Sequence, residues 1–248
     1  MEKNKIVVIV PGYNPGEFLE KCYSSLITQR YDNFRAIFID DCSSDGSFDK
    51  LPKDDDRIIL FKNTIRKTAL ENLTNVIMDN CEPQEIAVIL DADDWLSNKN
   101  VLSYINDFYN KHDCWVSWGQ SSWTDGRRGF ASSYSKEEYL NVRKAPFKVS
   151  HLRSWRAGLF QNIKKQDPTF SSMKDKNGNF YRMSYDTAIM FNLLELAPYN
   201  KAVFNDTILY IYNRNNPISE DRVNQALQTS VHMEVSNKPK LKQIESYL

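Results

Sequence analysis

The chain has 248 residues, with 32 Lys and Arg balanced by 32 Asp and Glu, so its formal net charge is zero. That length suits one large α/β domain, or a domain with a small appendage, and the zero charge gives no global basic field directed at nucleic acid or an anionic membrane. The four cysteines, Cys22, Cys42, Cys81 and Cys114, are scattered without a C-x-x-C pair, which argues against a structural zinc site. No apolar stretch is long enough to span a bilayer, and the N-terminal residues lack the apolar core of a signal peptide. These features point to a cytoplasmic protein, with any membrane contact made peripherally through a partner.

The first half alternates strand and helix signals. Ile6–Val10 is a β-branched run. Asn14-Pro15-Gly16 resembles a helix start, with Asn14 as N-cap and Pro15 at the first helical position, and Phe18, Leu19, Cys22, Leu26 and Ile27 then keep helical spacing. Ala36–Ile39 is a second strand, followed by turn chemistry in Ser43-Ser44-Asp45-Gly46. Ile58–Phe61 is a third strand, Thr68–Met78 a helix and Ile86–Leu90 a fourth, fully apolar strand. Alternation at this spacing predicts a mostly parallel sheet with right-handed crossovers.

The second half is less regular. Val101–Phe108 has helical spacing and Trp115–Gly119 reads as a strand. Residues 121–149 form a long, turn-rich segment with isolated aromatics and one short helix, and such loops inside compact domains are usually functional or mobile. Leu152–Ile163 reads as a helix and Lys164–Asn179 as a flexible surface loop. Ser184–Leu196 reads as a helix and Ala202–Tyr212 as a strand. Glu220–Val235 reads as a polar helix, and the last dozen residues as a tail or linker. The division expected is 1–97 for the regular first half, 98–218 for the irregular second half, and 219–248 for a terminal helix and tail.

The densest chemistry is Asp91-Ala92-Asp93-Asp94-Trp95, directly after the fourth strand. Open α/β sheets place ligands past the carboxyl ends of their strands. Carboxylates at i and i+2 can converge on one hard divalent cation, and Mg²⁺ typically combines one or two carboxylates with substrate phosphate oxygens. A molecule carrying a diphosphate is therefore the expected substrate. Mg²⁺ and Mn²⁺ are not distinguished by carboxylates alone.

Four segments, in order, resemble family 2 glycosyltransferases: Val7-Val8-Ile9-Val10-Pro11-Gly12-Tyr13-Asn14, Ser25-Leu26-Ile27-Thr28-Gln29-Arg30-Tyr31, Phe38-Ile39-Asp40-Asp41-Cys42-Ser43-Ser44-Asp45-Gly46-Ser47, and Asp91-Ala92-Asp93-Asp94. The resemblance covers roughly the first hundred residues. It implies a GT-A fold: a Rossmann-like, mostly parallel sheet flanked by helices, with an irregular acceptor-binding second half. It also implies inverting transfer of a sugar from a nucleoside-diphosphate sugar, most commonly a UDP-sugar, to a hydroxyl of a glycan or glycoconjugate.

By matching positions, the resemblance places Tyr13 against the nucleobase, Asp41 at its edge and Pro11 in the same pocket. It places Asp91 at the ribose or the metal, and Asp93 on the metal. An aromatic face suits base stacking, and a carboxylate, accepting hydrogen bonds only, discriminates at a base edge. The family's base is an aspartate opening a helix in the second half, usually after another acidic residue. Asp186 matches that place, although Tyr185 stands where the acidic neighbour is expected; an acidic residue there also stabilises the helix through its dipole. Asp167, Asp175 and Glu195 are weaker candidates.

Other departures from the family pattern concern the phosphates and the third metal-side residue. Glu71 holds a position where the family has Arg, and Asn72 matches the family's Asn. Arg66 or Lys67 are candidates for reaching the diphosphate, as is Arg214. Gly12 stands where small hydroxyl residues are common, which is expected to be harmless. A third metal-side residue is commonly His; His232 lies in the terminal helix, too distal to serve, and His151 is a candidate for shaping the donor or acceptor site. A sugar nucleotidyltransferase is disfavoured, because Pro11-Gly12-Tyr13-Asn14 lacks the Gly-rich basic loop that class needs. A non-catalytic nucleotide-sugar or glycan-binding module is the remaining alternative.

Overall fold

The computed structural model describes residues 2–52, 54–216 and 224–248. Its centre is one eight-stranded sheet. The strands are β1 (Ile6–Gly12), β2 (Phe34–Asp40), β3 (Ile58–Lys62), β4 (Ile86–Ile89), β5 (Trp95–Leu96), β6 (Val116–Trp123), β7 (Arg153–Arg156) and β8 (Ala202–Tyr212). They lie in the order β3-β2-β1-β4-β7-β6-β8-β5. The first four pair entirely in parallel. The second half is mixed, with β7 antiparallel to β4 and β6, β8 parallel to β6, and β5 antiparallel to β8.

The apolar run of β1 explains its central place. Ile6, Val8 and Val10 face one core, with α1 (Phe18–Ile27) and α3 (Val101–His112). Val7 and Ile9 face the other, with α2 (Ala69–Asn80) and α7 (Tyr185–Leu196). Side chains alternate across a strand, so a strand covered on both faces must be apolar throughout. Between these helices lie the short α4 (Lys136–Leu140), α5 (Ala157–Gln161) and α6 (Ile163–Gln166). The last helix, α8, spans Gln225–Ser236. No helix of the described residues is long and apolar enough to cross a membrane.

Four expectations are corrected. Helix α1 starts at Phe18, with Glu17 as its N-cap. Asn14 instead has φ 49° and is tied to the β2 turn, its Oδ1 accepting from Ser44 N at 2.8 Å and its N donating to Ser43 Oγ at 3.0 Å. Leu152–Ile163 is not one helix, because Arg153–Arg156 fills the otherwise open edge of β4 as β7; backbone pairing outweighs helical spacing here. Residues 164–179 are not a loose loop: Phe170 and Met173 are buried, and Asp167 accepts from the backbone N–H groups of Ser171 and Ser172. The C-terminal residues pack on the body, with Val235 and Leu241 buried and Ile244 N donating to Leu196 O at 2.9 Å. The 218/219 boundary and the start of the expected terminal helix lie outside the described residues.

Candidate active site

The strand order reverses between β1 and β4, the kind of switch point at which open α/β sheets bind ligands. A cleft of about 490 Å³ opens there at the strands' carboxyl ends. Pro11, Tyr13, Asp41, Arg66, Asp91, Asp93 and Asp186 all line it. Arg214 is not among the lining residues; its guanidinium lies 4.9 Å over the Trp123 ring.

One end of the cleft is built by the loops after β1 and β2. Tyr13 is 36% exposed, and the Arg66 guanidinium sits 3.5 Å over its ring. Asp41 is buried, with Oδ1 accepting from Lys67 N and Asn63 Nδ2, both at 2.8 Å. Asn63 Nδ2 also donates to Asn72 Oδ1 at 2.8 Å, while Asn72 Nδ2 is buried and makes no hydrogen bond among the described residues. Asn72 lines the cleft, so its donor is available to a ligand. Glu71 pairs with Lys67 at 3.6 Å.

The other end holds the carboxylates. Asp94, before β5, borders the cleft but is buried. It accepts from Asn213 N at 2.6 Å and Tyr210 OH at 2.5 Å, fixing the end of β8 against the acidic turn. Burial, then the neighbouring Asp93 and Asp91, pushes its carboxyl well above the usual range. Asp93 Oδ2 accepts from Asn216 Nδ2 at 2.7 Å. Asp91 Oδ1 accepts from Tyr185 OH at 2.5 Å, and its Oδ2 lies 3.2 Å from Tyr210 OH. One hydroxyl has one proton, so that of Tyr210 serves the shorter Asp94 contact.

Between Asp91 and Asp186 lies Arg153, which is 3% exposed. Its place follows from register: Arg153 pairs with Ile89, two residues before Asp91. It shares a strand face with Trp155, which packs in the same core as α7. Its NH1 is 3.5 Å from Asp186 Oδ2 and its NH2 3.6 Å from Asp91 Oδ2. NH2 also donates to Tyr185 OH at 3.0 Å and meets His151 Nδ1 at 3.2 Å. Burial works against the Arg153 charge, but Tyr185, Asp186 and Asp91 more than offset it and hold the guanidinium firmly protonated. His151 is half-buried and stacks on Tyr210 at 4.3 Å; desolvation, then Arg153, pushes its pKa well down. With Nδ1 accepting from Arg153, His151 is neutral, so its 3.9 Å approach to Asp91 is not an ion pair.

Among the described residues no group of three His, Cys, Asp or Glu forms a ready-made metal cage. Asp91 and Asp93 nonetheless present hard oxygen donors on one wall, which fits a cation completing its shell with diphosphate oxygens and water. Asp186 lies in the first turn of α7, Oδ1 accepting from Thr187 N at 2.8 Å.

The family model described as Glycosyl transferase family 2 matches residues 7–172. The chain belongs to glycosyl transferase family 2. Glycosyltransferase GlyA of Streptococcus pneumoniae is 31% identical over 111 residues, which are 44% of this chain and 15% of GlyA. Among solved structures, S. aureus TarS superposes with a TM-score of 0.63 at 18% identity, covering 84% of this chain and 36% of that one; a TarS 1–349 structure in complex with UDP gives 0.61 at 19%, covering 84% and 60%. The mannosyltransferase PcManGT from Pyrobaculum calidifontis, in complex with GDP-Man and Mn²⁺, gives 0.56 at 14%, covering 85% and 57%. This chain thus spans less than two thirds of each of these proteins. The shared architecture is the GT-A fold.

In this family 2 domain several site residues are invisible to motif reading. Arg153 falls in a segment with helical spacing, and only its strand register shows where it points. Tyr210 and Asn216 reach the acidic turn from more than a hundred residues away. Tyr185, the departure at the acidic neighbour's place, contributes a hydroxyl to Asp91 rather than a charge. His232 lies on α8 with Nδ1 3.3 Å from Thr187 Oγ1, beside α7 rather than remote from it.

Proposed function

We propose that this domain transfers a sugar, with inversion, from a nucleoside-diphosphate sugar, UDP-linked by preference, to a hydroxyl of a glycan or glycoconjugate. The observation that carries the proposal is the joining of Tyr13 and Asp41 with Asp91, Asp93 and Asp186 in one cleft. Neighbours of the same fold were solved with UDP and with GDP-Man and Mn²⁺, which supports a nucleotide-sugar donor. Any membrane contact would be peripheral, through the acceptor or a partner.

Tyr13 stacks on the base, Asp41 meets its edge, and Pro11 closes the pocket beside them. Asp91 and Asp93 would hold a Mg²⁺ or Mn²⁺ ion. Such an ion supplies charge neutralisation for the leaving diphosphate. Arg66 is close enough to the base site to add positive charge at the phosphates. Asp186 takes the proton from the acceptor hydroxyl as that oxygen attacks the anomeric carbon, and the bond from that carbon to the diphosphate breaks. Arg153, fixed between Asp186 and Asp91, holds the base in place relative to the donor side.

The test is calorimetric titration with UDP, GDP and dTDP, each with Mn²⁺, Mg²⁺ or EDTA. One nucleotide should bind in a metal-dependent way, and Asp93→Ala should abolish that dependence. Failure of folded protein to bind any of the three removes the donor assignment. Asp186→Asn should lower turnover by roughly 10²–10⁴-fold with donor affinity retained; unchanged turnover removes Asp186 from the mechanism.

A further inference from the structure

A second cavity, about 420 Å³, lies on the far side of Asp186. It shares His151, Ser184, Asp186, Tyr212 and Gln228 with the donor cleft, so the base stands in the common wall. Its remaining walls come from β6, the 121–149 loop and α8. No Lys or Arg is found among its described lining residues, whereas Arg66, Lys67, Arg153 and Arg182 line the donor cleft.

Two features of this cavity bear on what it could hold. Phe130 is 64% exposed at its edge, a large apolar ring left to water. Ser121 Oγ, on a residue only 1% exposed, has no hydrogen-bond partner among the described residues. An unsatisfied buried hydroxyl costs free energy that a ligand hydroxyl would recover. A flat apolar ring beside polar groups suits a molecule with one apolar face and a hydroxylated rim. Described walls without Lys or Arg, and with a carboxylate among them, are unsuited to a phosphate.

We infer that this cavity is the acceptor site, and that it takes an uncharged pyranose ring rather than a phosphate-bearing polyol. The sugar face lies on Phe130, its rim meets Ser121 Oγ, and the attacking hydroxyl points to Asp186. The inference rests on Asp186 being the base, and it adds the chemical class of the acceptor unit.

The probes are methyl pyranosides of glucose, galactose, N-acetylglucosamine and N-acetylgalactosamine, with ribitol 5-phosphate as the contrast. Binding to the full chain is followed by saturation-transfer NMR and titration. At least one pyranoside should bind, weaken by roughly tenfold in Phe130→Ala, as expected for loss of a ring contact, and be retained in Phe130→Trp. UDP binding should be the same in Phe130→Ala as in the parent, which also shows that the variant is folded. The inference is overturned if no pyranoside binds, if Phe130→Ala binds as well as the parent, or if ribitol 5-phosphate binds more tightly than every pyranoside. UDP titration reads the donor cleft separately. Pyranoside binding by a folded chain that binds none of UDP, GDP and dTDP would sink the transferase proposal and leave the cavity a pyranose site without an acceptor role.

Discussion

Asp91 and Asp186 share a single buried cation. A guanidinium this deep loses several kcal/mol of hydration, and it is kept only because two carboxylates and a tyrosine hydroxyl face it. Lysine would carry the charge but not the planar fork that spans two carboxylates. Arg153→Lys should therefore leave Asp186 misplaced. Turnover is expected to fall by roughly 10²-fold, the scale of an ångström-sized misplacement, with a much smaller change in donor KM. Steady-state kinetics separates the two. Equal losses in kcat and donor affinity would mean that Arg153 only holds the fold.

At the level of elements, the approach of β1 to the acidic turn decides the geometry of the carboxylates. A Cβ on Gly12 would lie 2.5 Å from Ala92 Cβ and 2.9 Å from the Phe48 ring. A hydroxyl-bearing residue is therefore not interchangeable with glycine at this position. Gly12→Ser should cost about 1–3 kcal/mol by overpacking and weaken metal-dependent nucleotide binding, measured by denaturant unfolding and calorimetry. A second element-level effect depends on pH. Glu85, between α2 and β4, is 1% exposed and pairs with Arg35 through two bonds of 2.6 and 2.8 Å. Burial raises its pKa, but Arg35, the Glu82 N–H and Lys5 outweigh burial and hold it below the usual carboxylate range. A depressed carboxylate stabilises the fold above its unfolded pKa, and that stability is lost as pH falls through the folded value. Glu85→Gln should lower stability at neutral pH and flatten its loss in acid, as read from unfolding midpoints at a series of pH values.

The same scale shows what the chain's order of residues could convey. β1, β2, β3 and β4 were legible because each is a short apolar run between turn residues, and so was the acidic turn that follows β4. β7 was not. Arg153-Ser154-Trp155-Arg156 becomes a strand because β4 has an open edge, and that edge exists only after the sheet assembles. The start of α1 was misplaced for a related reason. Asn14 has partners in Ser43 and Ser44, some thirty residues later, that outcompete a local cap.

For the whole molecule, α8 and the residues after it close the structure around Asp186. Arg143 links Glu195, Asn192 and Val235 O, while Leu241 N donates to Glu195 Oε2 at 3.0 Å. Gly158 lies under Tyr247, so close that a Cβ there would be 2.3 Å from Tyr247 O. Residues 224–248 also supply Gln228, Thr229 and His232 to the wall beside Asp186. Ending the chain at Asn216 should lower the thermal midpoint and abolish pyranoside binding, while β1, β2 and β4 still form the nucleotide end. Retained pyranoside affinity in the shortened chain would show that this wall is dispensable. Hydropathy alone could not reveal this closure, since α8 buries only Val231 and Val235 and leaves most of its side chains to solvent.

The guanidinium resting on Tyr13 changes what nucleotide binding means for this cleft. The aromatic face is not bare, because Arg66 already occupies it. An arriving base must exchange places with a cation whose contact is worth about 0.5–1 kcal/mol at an exposed site. On the proposed reading, the evicted side chain would then stand next to the diphosphate. A nucleoside lacking phosphates would dislodge Arg66 without offering it a new counterion. On the proposed reading, base and phosphate recognition would be joined through one arginine, and the cleft would select for the complete nucleoside diphosphate over its parts.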